Sequence, residues 1–378
     1  MAPLEHLLLR DLQPRPALAR SMRPELQLWN EGSTESSYGL AIAIPMSGVL
    51  GVFGPSCIAS AQLAVDEINR SDILHGEQLD PIFLNSDMDC IHQLIAEVGF
   101  LLERNAIAGV ILMAYSEVRK QLKKVIKGRI PLVYTTPYEG DEFSPNVFTL
   151  APTPYEQFVP GVRRLSEMLG VRRWAMVGKI NVRPDPSFGI AYNAIRSAGG
   201  SVVFEAHVLP GQLSATAVID GLIKHKPDIV FSSLAGQDSI TFHRMFGEAQ
   251  LARHMFRFTE LTEENILMAS GSSNTQKLYT ISSYFKTIQS DMNLSLLERY
   301  RDMHGPMAPM LNGGGASVYE GIHFCSALMS QRRLDQRGPI SHLSGRGGIF
   351  HSNQKKEDPI YVAEADQTHF EVIEKLSV

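Results

Sequence analysis

Cysteine is scarce in this chain. Cys57, Cys90 and Cys325 are the three in 378 residues and lie far apart, so neither a disulfide framework nor a zinc site is indicated. No run of about 18 consecutive apolar residues occurs, which leaves no candidate for a membrane-spanning helix. Positive charge is not in surplus either: 35 Lys and Arg face 40 Asp and Glu, a net charge of −5. A basic footprint for nucleic acid is therefore missing overall. Enzyme signatures are also absent. There is no G-x-S-x-G elbow, H-E-x-x-H helix or G-x-x-x-x-G-K-[ST] loop, and the 12 histidines are scattered without metal-ligand spacing. Gly313-Gly-Gly315 and Gly345-Arg-Gly-Gly348 lack the dinucleotide pattern and read as linkers, although the first precedes a helix and could offer N–H groups to an anion. These absences point to neither metal nor cofactor, and they leave little case for catalysis.

What is present is globular. The chain is 44% hydrophobic and 20% charged, long enough for two or three domains with sizeable cores. Residues 1–37 stand apart from the rest. Their apolar run is only Leu7 to Leu9, interrupted nearby by Glu5, Arg10 and Asp11, which is too short for a secretory signal. Pro14, Pro16 and Pro24 break any helix. This stretch is expected to be a mobile N-terminal extension, and the protein is expected in the cytoplasm. Whether Met1 is the true start stays open.

From Tyr38 onward, short β-branched runs alternate with amphipathic segments of helix length. Strands are expected at 40–44, 82–84, 108–113 and 130–134, with helices at 58–69, 91–103 and from Ser116 to about Lys127. Ser116 is placed as the cap of that third helix. The alternation restarts after Pro152, with strands at 174–177, 202–208 and 229–232 and helices at 187–197, 215–224 and 238–249. Beyond Leu278 come one more strand, two helices and short C-terminal strands. Continuous apolar strands separated by helices imply parallel sheets covered on both faces, so two such runs imply an α/β chain of two doubly wound lobes.

In parallel sheets, ligands bind beyond the carboxyl ends of the strands. Two strand ends in the first run carry polar groups there: Met113-Ala-Tyr115-Ser116, and Tyr134-Thr-Thr136-Pro137-Tyr-Glu-Gly140. The hydroxyls of Ser116, Tyr134 and Thr136 donate and accept hydrogen bonds, and the tyrosine rings, Tyr115 included, supply apolar walls. Such a pocket suits a small polar molecule bearing a carbonyl and an N–H group. The same residues also fit purely structural roles, with Ser116 capping a helix, Thr136 supporting a turn and Tyr134 in the core.

The segment Thr136-Pro-Tyr-Glu-Gly-Asp-Glu-Phe-Ser-Pro-Asn146 resembles the T-P-Y-E-G-x-E-x-S-P-N stretch of type I periplasmic-binding-protein-like receptors of the amide and urea branch. Ala64-Val-Asp-Glu-Ile-Asn69, Ser116-Glu-Val-Arg-Lys120, Asp228-Ile-Val-Phe-Ser-Ser233 and Ser317-Val-Tyr-Glu-Gly321 add weaker matches in the same order. Within the branch, the chain looks most like the cytoplasmic amide sensors of aliphatic amidase operons.

The resemblance implies two lobes joined by three crossovers, 38–153 with about 288–345 and 154–287 with about 346–378, closing on a ligand by hinge motion. It implies amide contacts from Ser116, Tyr134, Thr136 and Pro137. Where the amide sensors present two tyrosines from the second lobe, this chain has Asn181 and Arg183. Arg183 offers a planar fork for a carboxylate or for carbonyl lone pairs, and equally a partner for Asp185, Glu139 or Asp141. The function so implied is sensing of an amide- or nitrile-related molecule and control of an amidase or nitrile hydratase operon. Control would act through a regulatory partner protein such as an RNA-binding antiterminator, with no direct nucleic-acid contact and oligomer formation left open. Two alternatives remain: a solute-binding protein of an ABC transporter for amides, urea or amino acids, and an amide-processing enzyme.

Overall fold

Two twisted sheets, each sandwiched between helices, organise the chain. The computed structural model describes residues 37–140, 142–144, 146–179, 186–333, 341–343, 349–351 and 359–376. The N-terminal stretch before Ser37, and with it the expected extension, lies outside them, as do Asn181, Arg183, Asp185 and Asp141.

The first sheet is built from β1 (Ser37–Ile44), β2 (Gln78–Asn85), β3 (Gly109–Leu112), β4 (Leu132–Tyr134) and β5 (Val147–Thr149), in the order β2-β1-β3-β4-β5. All its pairings are parallel. Side chains alternate between the faces. Leu40, Ile42 and Ile44 enter one core with Ile111, while Ala41 and Ala43 enter the other with Val110 and Leu112. The first core is closed by α1 (Gly54–Arg70), and the second by α2 (Ile91–Glu103) and α3 (Ser116–Ile126).

The chain then runs through α4 (Pro154–Leu169) into β6 (Arg173–Lys179), α5 (Pro186–Ser197), β7 (Ser201–Val208), α6 (Ala215–His225), β8 (Ile229–Ser233), α7 (Gly236–Glu248), β9 (Phe256–Thr259), α8 (Glu264–Ser270) and β10 (Leu278–Ser282). It returns to the first sheet with α9 (Asp291–His304) and α10 (Gly313–Arg333), whose buried faces join the core of α1. After the small pair β11 (Ser341–Leu343) and β12 (Ile349–His351), β13 (Ile360–Asp366) and β14 (His369–Leu376) complete the second sheet, ordered β14-β13-β10-β9-β8-β6-β7. Trp174, Met176, Phe231 and Phe258 fill one face, and Ala175, Val177 and Val230 the other.

The chain is thus an α/β protein of two parallel-sheet lobes, with one addition. β13 pairs antiparallel with β10 and with β14, so the second sheet carries a ribbon on one edge. Helix α4 is another departure. No helix is expected there from the sequence; Thr153 and Glu156 form a capping box, Pro154 takes the first turn, where a missing N–H costs nothing, and Pro160 lies inside the helix. Ser116 is not the cap of α3. Tyr115 holds that position with extended backbone (φ −65°, ψ 152°), and no side chain caps the helix. The Gly313-Gly-Gly315 segment is no linker but the first turn of α10.

Candidate functional site

The carboxyl ends of β3 and β4 face those of β8 and β9 across a cleft. A cavity of about 40 Å³ lies there, bounded on the first lobe by Ala114, Tyr115 and Ser116 after β3 and by Tyr134, Thr136 and Pro137 at the end of β4. Tyr138 and Glu139 extend that wall. The second lobe supplies Ser233 at the end of β8, Ala235 after it, Glu260 and Leu261 after β9, and Ser187 from the first turn of α5. Pro154, at the start of α4, completes the lining.

Five of the expected site residues, Tyr115, Ser116, Tyr134, Thr136 and Pro137, therefore share one cavity; Asn181 and Arg183 lie outside the described residues. Their hydroxyls are not equally available. Tyr134 is fully buried and its Oη donates to the Ala114 carbonyl at 2.7 Å. Burial pushes its pKa up to about 12, against the pull of the Ser116 and Thr136 hydroxyls bonded to it and of the Arg119 charge. Thr136 Oγ1 accepts the Ala114 N–H at 3.2 Å. The two residues thus bolt the ends of β3 and β4 together while lining the cavity. Ser116, released from capping, turns its hydroxyl to Tyr134 at the cavity wall. Burial raises the pKa of Tyr115, and the carboxylates of Asp238 on α7 and Asp87 after β2 add to it, so Tyr115 stands between groups of both lobes.

The lining is rich in acceptors. Glu139 and Glu260 bring a carboxylate from each lobe, and no Lys or Arg stands among the described lining residues. The lobes also touch directly. The Gln237 N–H donates to the Val49 carbonyl at 2.9 Å, and Asn265 Nδ2 donates to the Val52 carbonyl at 2.9 Å. Gly236 permits that approach: its φ is +53°, and a Cβ there would fall 1.8 Å from the Val49 oxygen. At the start of α10, the Gly314 N–H donates to Glu263 Oε2 of the second lobe at 3.2 Å. The group that meets that glycine turn is the protein's own carboxylate.

Sequence reading missed Ser233 and Glu260 of the second lobe. Ser233 ends β8 and Glu260 follows β9, so the same strand-end rule would have found them. Among the described residues, no cluster of three or more His, Cys, Asp and Glu could hold a metal ion. No helix there is long and apolar enough to cross a membrane.

Comparison with known proteins bears on this geometry. A family model described as a periplasmic binding protein matches residues 38–368. Among solved structures, an ABC transporter solute-binding protein from R. palustris in complex with benzoate is similar, with a TM-score of 0.77 at 13% identity, over 90% of this chain and 96% of that one. An amino acid ABC transporter substrate-binding protein from Pseudomonas fluorescens gives 0.76 at 12% identity, over 91% and 96%. A third substrate-binding protein, from Sphaerobacter thermophilus, gives 0.73 at 16% identity, over 90% and 98%. At these identities the likeness is one of fold.

Proposed function

The chain belongs to the periplasmic-binding-protein family, whose members bind ligands, and we propose that it captures a small uncharged amide or urea between its lobes and delivers it to an ABC-type transporter. One observation carries the ligand class. The cavity is edged with hydroxyls and two carboxylates and no described cation, which favours an uncharged hydrogen-bond donor over an acid. An amide offers N–H groups to Glu260 or Glu139 and a carbonyl to Ser116 or Tyr115. Asn181 and Arg183, between β6 and α5, are proposed as further contacts, Arg183 toward the carbonyl. The delivery role is supported by the similar solved structures, which are transporter binding proteins.

Ligand acts by differential binding. Contacting both walls at once, it favours the closed arrangement over the open one, and three or four hydrogen bonds at about 0.5–1.5 kcal/mol each suffice to shift that balance. A second reading, a sensor regulating an amidase or nitrile hydratase operon through a partner such as an RNA-binding antiterminator, is favoured by one observation. The T-P-Y-E-G block that resembles the amide-sensing branch supplies Thr136, Pro137, Tyr138 and Glu139 to the cavity.

One experiment separates the two. Fractionated cells and radiolabelled amide uptake are compared with and without the gene. Protein outside the cytoplasmic membrane and lost uptake are expected; cytosolic protein, unchanged uptake and an induction defect would favour the sensor. The pure protein is expected to leave the amide chemically intact. Titration of Arg183→Ala tests the added contact, since unchanged affinity would remove Arg183 from the site.

A further inference from the structure

Behind the first-lobe wall lies a cation that does not line the cavity. Arg119, in the first turns of α3, is 3% exposed, and its guanidinium sits 4.9 Å from the ring centre of Tyr134 and 5.1 Å from that of Tyr138. Its Nη2 is 3.7 Å from Glu139 Oε2, and its Nε is 3.6 Å from Glu142 Oε2. Lys123, one turn further along α3, reaches Glu142 at 3.1 Å. Burial alone would raise the Glu142 pKa, but bonds from Ser144 and Lys123 hold it below the usual carboxylate range. Among the described residues, Arg119 Nε and Nη1 make no hydrogen bond, so charge and ring faces hold the group.

Three cavity-lining side chains, Tyr134, Tyr138 and Glu139, therefore rest on one buried guanidinium. The loop from Thr136 to Ser144 has no regular structure over its described residues, and Arg119 and Lys123 are the described cations pairing with its carboxylates. Among the described residues, these two cations and two carboxylates balance in charge. We infer that Arg119 is a positioning and charge-balancing residue that presets the wall formed by Tyr134, Tyr138 and Glu139 and, by offsetting Glu139, makes the cleft select neutral ligands over cationic ones. The selectivity part of this inference rests on the amide reading proposed above.

In a poorly screened site, an unbalanced carboxylate attracts a cation several ångströms away by far more than it would in water. Removing Arg119 therefore favours a charged ligand over its neutral isostere. Acetamide and the acetamidinium ion are nearly the same shape and differ by one charge, so their affinity ratio reads the cleft's charge with packing largely cancelled.

Both are titrated calorimetrically into the intact chain and its variants. Wild type is expected to prefer acetamide. Arg119→Met is expected to move the ratio toward acetamidinium by about tenfold or more. Arg119→Lys keeps the charge but loses the flat fork lying on two rings, so it weakens both ligands while leaving the ratio within about twofold. Glu139→Gln moves the ratio the opposite way, and it decides the matter should Arg119→Met fail to fold. An unmoved ratio in folded Arg119→Met or in Glu139→Gln overturns the inference while leaving the amide reading intact. A wild type that binds neither molecule overturns that reading and the selectivity with it.

Discussion

Among the described residues, each lobe buries one arginine, and the two are held in opposite ways. Arg119 in the first lobe lies beside Glu139 and Glu142, between two tyrosine rings and directly behind the cleft. Arg257 in the second lobe is fully buried, donates to the Gln276 carbonyl, meets His243 Nδ1 at 3.1 Å and lies 4.4 Å over the Phe246 ring. No carboxylate among the described residues pairs with it, and burial pushes its pKa down to about 9. The difference shows what a buried charge is for. Where it holds a loop beside the cleft, the desolvation cost is offset by ion pairs whose loss would leave Glu139 without its described cation. Where it sits in a core away from the cleft, it costs stability that an apolar side chain would restore.

The contrast has opposite signs on each side. Arg119→Met breaks a buried charge cluster and is expected to destabilise the first lobe by about 3 kcal/mol, read as an earlier denaturant midpoint. Arg257→Met is expected to range from neutral to a gain of about 2 kcal/mol at neutral pH, with ligand affinity unchanged. A large loss of stability there would erase the distinction.

A charge network remote from the cleft sharpens the comparison. Glu67 on α1 accepts from Tyr319 Oη at 2.5 Å and from Arg299 Nε at 2.7 Å, and lies 3.2 Å from His323 Nε2. Burial alone would raise its pKa, yet these partners bring it down to about 2. A carboxylate depressed in the folded state stabilises fully above its unfolded pKa and loses that contribution as pH falls. Between about pH 4.5 and 2, wild type is therefore expected to lose about 2 kcal/mol, discounted for the half-exposed Arg299, that Glu67→Gln lacks throughout. Parallel acid titrations of the two proteins would contradict this.

The smallest expected change is Tyr134→Phe. It leaves the buried Ala114 carbonyl without its donor and is expected to cost about 1–2 kcal/mol of stability, together with weaker ligand binding. Full affinity with reduced stability would assign Tyr134 to the core alone.

Much of this was legible from the residues, and the limits have physical causes. Alternating apolar strands and amphipathic helices expose an α/β chain of two lobes, because each strand buried on both faces must be apolar throughout, as Leu40–Ile44 is. Helix α4 was not read from the sequence; it carries Pro160 in its interior, where proline ordinarily disfavours a helix. The antiparallel ribbon β13–β14 was hidden because pairing direction leaves no mark on a short strand. Ser116 reads both as a ligand contact and as a cap; Tyr115 takes the cap position, and the Ser116 hydroxyl bonds Tyr134 at the cavity wall. Arg119 escaped notice because a single arginine on a basic helix resembles the exposed Lys120 beside it, and only tertiary packing distinguishes them.

The most telling measurement is calorimetric titration of the intact chain with acetamide and urea alongside benzoate. Saturable heat from acetamide or urea and none from benzoate is the expected result. Saturation by benzoate, with both uncharged molecules silent, would contradict a cleft built to hold a neutral hydrogen-bond donor.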